Sequence, residues 1–171
     1  LVVNQSTFSG NTTFGINSEG GAISAHLAAV IISNSTISGN TTTGDGSEGG
    51  GVFGVFADVT ISQSTISGNT ITGTDSQGGA VFTQDGLLTV SQSTITANLS
   101  AISVGGGIFT LSSSITIANS IVAGNSDSGT APDIQKSPNV GDILTVDHSL
   151  IGRSNGTGLA ATSGTTPDSN G

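Results

Sequence analysis

Three observations predict an all-β chain wound as a parallel solenoid: one seven-residue phrase recurs about every 29 residues, apolar residues alternate with polar ones beside it, and no stretch carries helical spacing. The phrase reads Q-S-T-F-S-G-N from Gln5, N-S-T-I-S-G-N from Asn34, Q-S-T-I-S-G-N from Gln63, Q-S-T-I-T-A-N from Gln92 and N-S-I-V-A-G-N from Asn119, with a shorter H-S-L-I-G from His148. Successive starts lie 29, 29, 29, 27 and 29 residues apart. A second phrase keeps step with the first: G-G-A-I from Gly20, G-G-G-V from Gly49, G-G-A-V from Gly78 and G-G-G-I from Gly105.

Each element follows from its own apolar row. Before each Gln or Asn, two apolar residues flank one variable site: Leu1 and Val3, Val30 and Ile32, Val59 and Ile61, Leu88 and Val90, Ile115 and Ile117, Leu144 and Val146. This period of two marks a strand with one face inward. Three residues after the Gln or Asn stands a second row, Phe8, Ile37, Ile66, Ile95, Val122 and Ile151, and after the glycines a third, Ile23, Val52, Val81 and Ile108. Three short strands per repeat, each adding to a stacked aliphatic column, predict a right-handed single-stranded parallel β-helix of about six coils over 1–159. Residues 160–171, rich in Ser, Thr, Gly and Pro, read as a soft tail. The chain opens inside a strand, so it reads as a piece of a longer solenoid. Eight-residue excursions, Thr12 to Glu19, Thr41 to Glu48 and Thr70 to Gln77, separate the two phrases, shortening to Leu99 to Val104 in coil four. Coil five replaces the glycine phrase with Ala131-Pro132-Asp133-Ile134.

Composition narrows the function. The 171 residues include no Cys, Trp, Tyr or Met, and two basic residues, Lys136 and Arg153, stand against eleven acids. A net charge of −9 argues against nucleic acid and anionic membranes as partners. No run of apolar residues is long enough to insert in a membrane. A cysteine-free chain rich in Ser, Thr, Asn and Gly fits an exported bacterial protein, at the cell surface or outside it.

Several residue sets invite chemistry. Gln5, Asn34, Gln63, Gln92 and Asn119 form one row of amides, and Asn11, Asn40, Asn69, Asn98 and Asn125 a second; both read as structural ladders that satisfy one another and the backbone at bends. Asn4, Asn11, Asn34, Asn40, Asn98 and Asn155 also match glycosylation sequons, and inward-turned ladder amides are shielded from modification. Phe53, Phe82 and Phe109 make a column that strict alternation points outward, offering rings to a sugar or partner surface unless loops cover them. Glu19 and Glu48 occupy equivalent positions one coil apart, about 5 Å by the repeat geometry, a spacing that glycosidases use. Asp45, Glu48 and Asp75 offer hard oxygen ligands for Ca²⁺, although no known calcium loop is present and solubility explains them more simply. No cofactor is expected. Asp133, Asp142, Asp147 and His148, near the two basic residues, are the one place for a degenerate lyase-like site. Thr7, Thr36, Thr65 and Thr94 with Ser9, Ser38, Ser67 and Thr96 make two hydroxyl files on one strand face.

The paired phrases resemble the polymorphic outer-membrane protein repeats, whose marks G-G-A-(I/L/V) and F-x-x-N match Gly20-Gly21-Ala22-Ile23 and Phe8-Ser9-Gly10-Asn11. Elsewhere Ile or Val replaces the Phe. The chain is also similar to bacterial β-helix proteins of pectate-lyase-like architecture, and its last coils resemble those of large surface proteins that carry a C-terminal sorting anchor. The resemblance implies surface display or adhesion toward a host or neighbouring cell, through glycan or protein. The expected function is therefore a non-catalytic scaffold or adhesive segment that presents loops and strand faces to a partner, with a carbohydrate-active enzyme or a glycan-binding module sited in the irregular last coils as the alternative. Open terminal coils also make end-to-end self-association an expectation.

Overall fold

The computed structural model describes residues 1–137, 142–153, 155 and 157. Four sheets run the length of the stack, and each coil gives one strand to each in turn. The first sheet holds Val2–Asn4, Val30–Ser33, Val59–Ser62, Leu87–Ser91, Ser114–Ala118 and Leu144–Asp147. The second holds Thr7–Ser9, Thr36–Ser38, Thr65–Ser67, Thr94–Thr96, Ile121–Val122 and Leu150–Ile151. The third holds Thr12–Phe14, Thr41–Thr43, Thr70–Ile71, Leu99–Ser100 and Ser126–Asp127, and the fourth Ile23–His26, Val52–Val55, Val81–Gln84, Ile108–Leu111 and Ile134–Lys136. Five full coils and the first half of a sixth are thus in place. The 160–171 tail lies outside the described residues.

Each strand pairs in parallel with its counterpart one repeat away, so Ile66 sits between Ile37 and Ile95. Identical side chains therefore meet along the axis. Val30, Val59 and Leu88, Ile32, Ile61 and Val90, and the Ile37 to Ile95 column close into one fully buried core. Where the coil shortens by two residues the register still holds, with Ile95 opposite Val122.

The third sheet corrects the count of three strands per coil: each full coil has four. Its strands are two or three residues long and rich in threonine, inside the stretch that reads as the start of the excursion. The remainder of the excursion is also stacked. Glu19, Glu48, Gln77 and Val104 are parallel bridge partners in succession, and Gly15 N and Asn17 N donate to Thr43 O and Asp45 O. These segments are ordered arches, not free loops.

The glycine phrase has a steric cause. Gly20, Gly49, Gly78 and Gly105 lie at φ between +59° and +75°, where glycine carries no penalty. The following glycine lies flat against the next coil: a Cβ on Gly50 would come within 2.2 Å of Gly79 O.

Because stacking and burial of the Ile column hold adjacent coils together, Ile66→Ala is expected to destabilise the chain by about 2–5 kcal/mol, read as a lower midpoint in chemical denaturation. An unchanged midpoint would contradict the register.

Candidate functional site

The two amide rows part company. Asn40, Asn69, Asn98 and Asn125 are buried, and their amides run as one ladder. Asn11 N and Nδ2 donate to Asn40 Oδ1 at 3.0 and 2.8 Å. Asn40 donates in the same way to Asn69 at 3.0 and 2.9 Å, Asn69 to Asn98 at 2.9 Å twice, and Asn98 to Asn125 at 3.1 and 2.9 Å. The amides of Asn40, Asn69, Asn98 and Asn125 each also donate to a second-sheet carbonyl, as Asn69 Nδ2 does to Ile37 O at 3.0 Å.

Gln5, Asn34, Gln63, Gln92 and Asn119 are exposed and do not form a buried ladder, which corrects that expectation for Asn34 and Asn119. They stand at the corner between the first and second sheets with φ between +48° and +50°. Short polar side chains tolerate this left-handed conformation better than branched ones. Asn34 and Asn4 are open to solvent, so shielding does not apply to their sequons.

The hydrogen bonding expected of that row belongs to the serine that follows it. Ser6 N donates to Ser35 Oγ, Ser35 N to Ser64 Oγ and Ser64 N to Ser93 Oγ, each at 3.1 Å. The ladder continues from Ser93 to Ser120 at 3.1 Å and from Ser120 to Ser149 at 3.0 Å. Each hydroxyl donates back to the carbonyl two residues earlier, as Ser64 to Ser62 O at 2.7 Å. The invariant Ser after every Gln or Asn was the signal for it.

Asp133 is the amide ladder's final acceptor. Its Oδ1 receives Asn125 N at 3.0 Å and Asn125 Nδ2 at 2.8 Å, and its Oδ2 receives Arg153 N at 2.8 Å. It is 2% exposed, opposite the position that Gly107 holds in coil four. The other candidates of the last coils lie elsewhere: His148 Nδ1 meets Asp147 Oδ1 at 2.6 Å on the surface, and Lys136 Nζ donates to Asp142 O at 2.9 Å. Among the described residues no hydrogen bond or ion pair joins Asp133 to Asp142, Asp147 or His148.

The phenylalanine column is buried, correcting the outward reading. Phe53, Phe82 and Phe109 are 1%, 0% and 7% exposed and stack with centroids 5.4 and 5.7 Å apart. Alternation does point them out of the main core, but the arch folds back over them. Val104, in the row of Gln77 and Glu48, packs on this second cluster with Val55 and Leu111. Sugar has no access to the rings.

At the first-coil end of this column, where Ser24 replaces Phe, His26 lies against Phe53 with ring centroids 5.1 Å apart. His26 Nε2 meets Glu19 Oε2 at 2.6 Å, and Ser24 Oγ donates to the same oxygen at 3.3 Å. Sequence reading missed His26, whose seven-residue separation from Glu19 carries no periodic mark. Glu48, the bridge partner of Glu19, is half-buried. Desolvation, then the nearby Glu19 carboxylate, pushes its carboxyl up to about 7 against a smaller opposing effect of His26.

Asp45 and Asp75 do not join this cluster. Asp45 is exposed, and bonds from the Thr74 side chain and from Thr74 N, the latter at 2.9 Å, hold its carboxyl below the usual range. Among the described residues no group of three or more His, Asp or Glu side chains is arranged to hold a metal ion. Among the described residues no helix is long and apolar enough to cross a membrane.

Two expectations follow. Asn69→Ala strands the buried Asn40 N and removes the amide bond to Ile37 O, and is expected to cost more than about 2 kcal/mol, whereas Gln63→Gly relieves a positive φ and changes stability by less than about 1 kcal/mol in either direction. Thermal melts of the pair check the reassignment of the ladders. The native state also holds the Glu48 proton more tightly than the unfolded chain does, because its carboxyl is raised from 4.5 to about 7. Its contribution to stability is therefore complete below 4.5 and lost as pH rises to about 7. Subtracting the pH profile of Glu48→Gln from that of the parent chain isolates this loss, and an identical profile in both would contradict it.

Neither a curated protein nor a solved structure matches the chain. A family model described as the right-handed beta helix region matches residues 1–170. With five parallel coils, four continuous sheets and an internal amide ladder already in view, the chain belongs to the right-handed β-helix family.

Proposed function

We propose that this chain is a rigid, non-catalytic segment of an exported surface protein, and that a flat hydroxyl face meets a glycan or protein on a host or neighbouring cell. The observation that carries this reading is the fate of the reactive groups. Asp133 and the phenylalanines are built into the interior, while the outward rows of the second sheet are uncharged and carry hydroxyls in coils one to four before Ile121 and Leu150 take over. Thr36, Thr65 and Thr94 stand in register, as do Ser38, Ser67 and Thr96. Thr60, Thr89 and Thr116 continue the pattern on the adjacent first sheet. Burial of Phe53, Phe82 and Phe109 removes the ring column as a contact surface and supports this face in its place.

A second reading, a carbohydrate-active enzyme, is favoured by one observation. Glu48 keeps its proton to about 7 beside a Glu19 carboxyl that is paired with His26. Acid–base cleavage of a glycosidic bond needs two carboxyls set apart in this way.

A binding screen against glycans and cell surfaces, run with the parent chain, a Thr65→Arg/Thr94→Arg variant and Glu48→Gln, separates the two. The scaffold reading expects the arginine variant to bind about tenfold more weakly, or ~1.4 kcal/mol, with Glu48→Gln unchanged and no sugar released. Release of reducing ends that disappears in Glu48→Gln would establish the enzyme instead.

A further inference from the structure

The corner between the fourth and first sheets is left-handed in successive coils, and its row reads Leu27, Phe56, Asp85 and Ser112, with φ between +50° and +54°. Asp and Ser are at home in that conformation, whereas bulky Leu and Phe are rare there. The position that follows holds Ala28, Ala57, Gly86 and Ser113. Ser113 Oγ accepts Gly86 N at 3.3 Å and donates to Leu111 O at 3.2 Å. An alanine methyl does neither, so no side-chain ladder supports the corner at Leu27 and Phe56.

Burial does not offset the strain at Phe56. Phe53, three residues earlier, is sealed in the ring column, but Phe56 is 57% exposed. It has a coil on either side, since Leu27 N donates to Val55 O and Phe56 N to Gln84 O, so its exposure belongs to the corner. Two more aliphatic side chains share this stretch of surface. Ile31, 43% exposed, stands in the outward row that continues as Thr60, and Leu87, 42% exposed, opens its strand two residues after Asp85.

Two exposed acids, Asp58 and Asp85, stand among these side chains. Asp58 Oδ1 accepts Leu87 N at 2.9 Å and Asp85 Oδ2 accepts Gln84 Nε2 at 3.0 Å. Neither has an ion-pair partner among the described residues, and Lys136 and Arg153 belong to the last two coils.

We propose that Phe56, Ile31 and Leu87, with Asp58 and Asp85 between them, form a docking surface for a protein segment that carries apolar and basic side chains together. Phe56 is the anchor: its outward pose is set by the backbone before a partner arrives, which lowers the ordering cost of binding. Strain held at an exposed aromatic ring is a mark of a functional position. Arg or Lys on the partner reaches the two carboxylates. The same carboxylates repel an anionic lipid surface and a second copy of this chain, whose net charge is −9. The hydroxyl rows of the second sheet lie outside this surface, so either can fail without the other.

The test titrates short fluorophore-labelled peptides into the full chain and reads anisotropy. One peptide alternates Arg with Trp and Leu, a second has Glu for every Arg, and a third has Ser for every Trp and Leu. The Arg peptide alone is expected to bind, and Thr65→Arg/Thr94→Arg on the second sheet still binds it. Phe56→Asn weakens binding at least about tenfold and melts no lower than the parent chain, because Asn accepts a left-handed backbone. Asp58→Asn/Asp85→Asn weakens it by a similar factor. Asp45→Asn/Asp75→Asn removes as much charge elsewhere and changes binding by less than about twofold at physiological ionic strength. No binding by the parent chain, undiminished binding by Phe56→Asn, or equal losses from the two acid pairs overturns the surface. Equal binding of the Ser peptide reduces it to charge alone, and a lower melting temperature for Phe56→Asn assigns the ring to the fold; either result overturns the proposal. Sedimentation that shows the parent chain dimerising and Phe56→Asn monomeric makes a second copy the occupant and overturns the basic partner.

Discussion

Whatever lies inside one coil is met by its own equivalent in the next, and this demand for self-complementarity governs the rest of the structure. An amide satisfies it, being donor and acceptor at once; a hydroxyl does so as well, and so do aliphatic chains and offset phenyl rings. Carboxylates, ammonium groups and guanidinium groups cannot, since each presents to its copy only what the copy already has. The interior accordingly contains Ile, Val, Asn, Ser and Phe columns, and only 8% of the chain is charged. Where acids are stacked the penalty is visible: Glu48, desolvated by burial and then opposed by Glu19, keeps its proton to about 7, and the row reverts to Gln77 and then to apolar Val104. Asp133 is the instructive exception. It is a buried carboxylate, and it is tolerated because Asn125 donates to one oxygen and the Arg153 N–H to the other.

Corners obey the same demand. One bend must serve every coil, so left-handed residues recur in rows: Gln5, Asn34, Gln63, Gln92, Asn119 and His148 at one, Gly10, Gly39, Gly68, Ala97 and Gly124 at another, Leu27, Phe56, Asp85 and Ser112 at a third. Each non-glycine member gives up roughly 1–2 kcal/mol against an ordinary backbone conformation. The ladders beside the corners offset this. Ser35 satisfies the backbone at the first corner and Asn40 at the second, each by linking to the coil above and the coil below. Strain and ladder are therefore one design, and neither is intelligible in an isolated coil.

The aliphatic rows were legible from sequence because burial imposes period two within a strand and period 29 between coils, and Ile66 lies where both periods place it. Other features were not. Gln63 and Asn69 carry the same chemical group at equally regular spacing, so repetition alone assigned both to ladders; only the backbone angle, which puts Gln63 on an outward corner, tells them apart. Thr41–Thr43 was absorbed into an excursion because a threonine triplet has no apolar alternation. The phenylalanines were read outward correctly with respect to the main core and wrongly with respect to solvent, since a returning arch leaves no mark in the row it covers. Asp133 gave a signal, an acid where other coils have Gly or Ala, but a break in pattern does not say whether it marks a reactive site or an acceptor for the amide ladder.

Freed from the interior, the outer rows of the first and second sheets still repeat, and this bears on the kind of partner the proposed scaffold serves. Thr36, Thr65 and Thr94 present the same hydroxyl and methyl at intervals of about 4.8 Å, and a single such contact is worth little against the entropy of holding a ligand. A small molecule touching one or two of them gains almost nothing. A partner that is itself extended and repetitive engages many at once, and after the first contact each further one is intramolecular. The backbone ladders matter here because they keep the spacing fixed: an array that flexed would lose its register with the partner after a few coils. Rigidity in the interior and regularity on the surface thus have the same origin, and together they suit the chain to a polymer or a cell surface better than to a pocket-sized substrate.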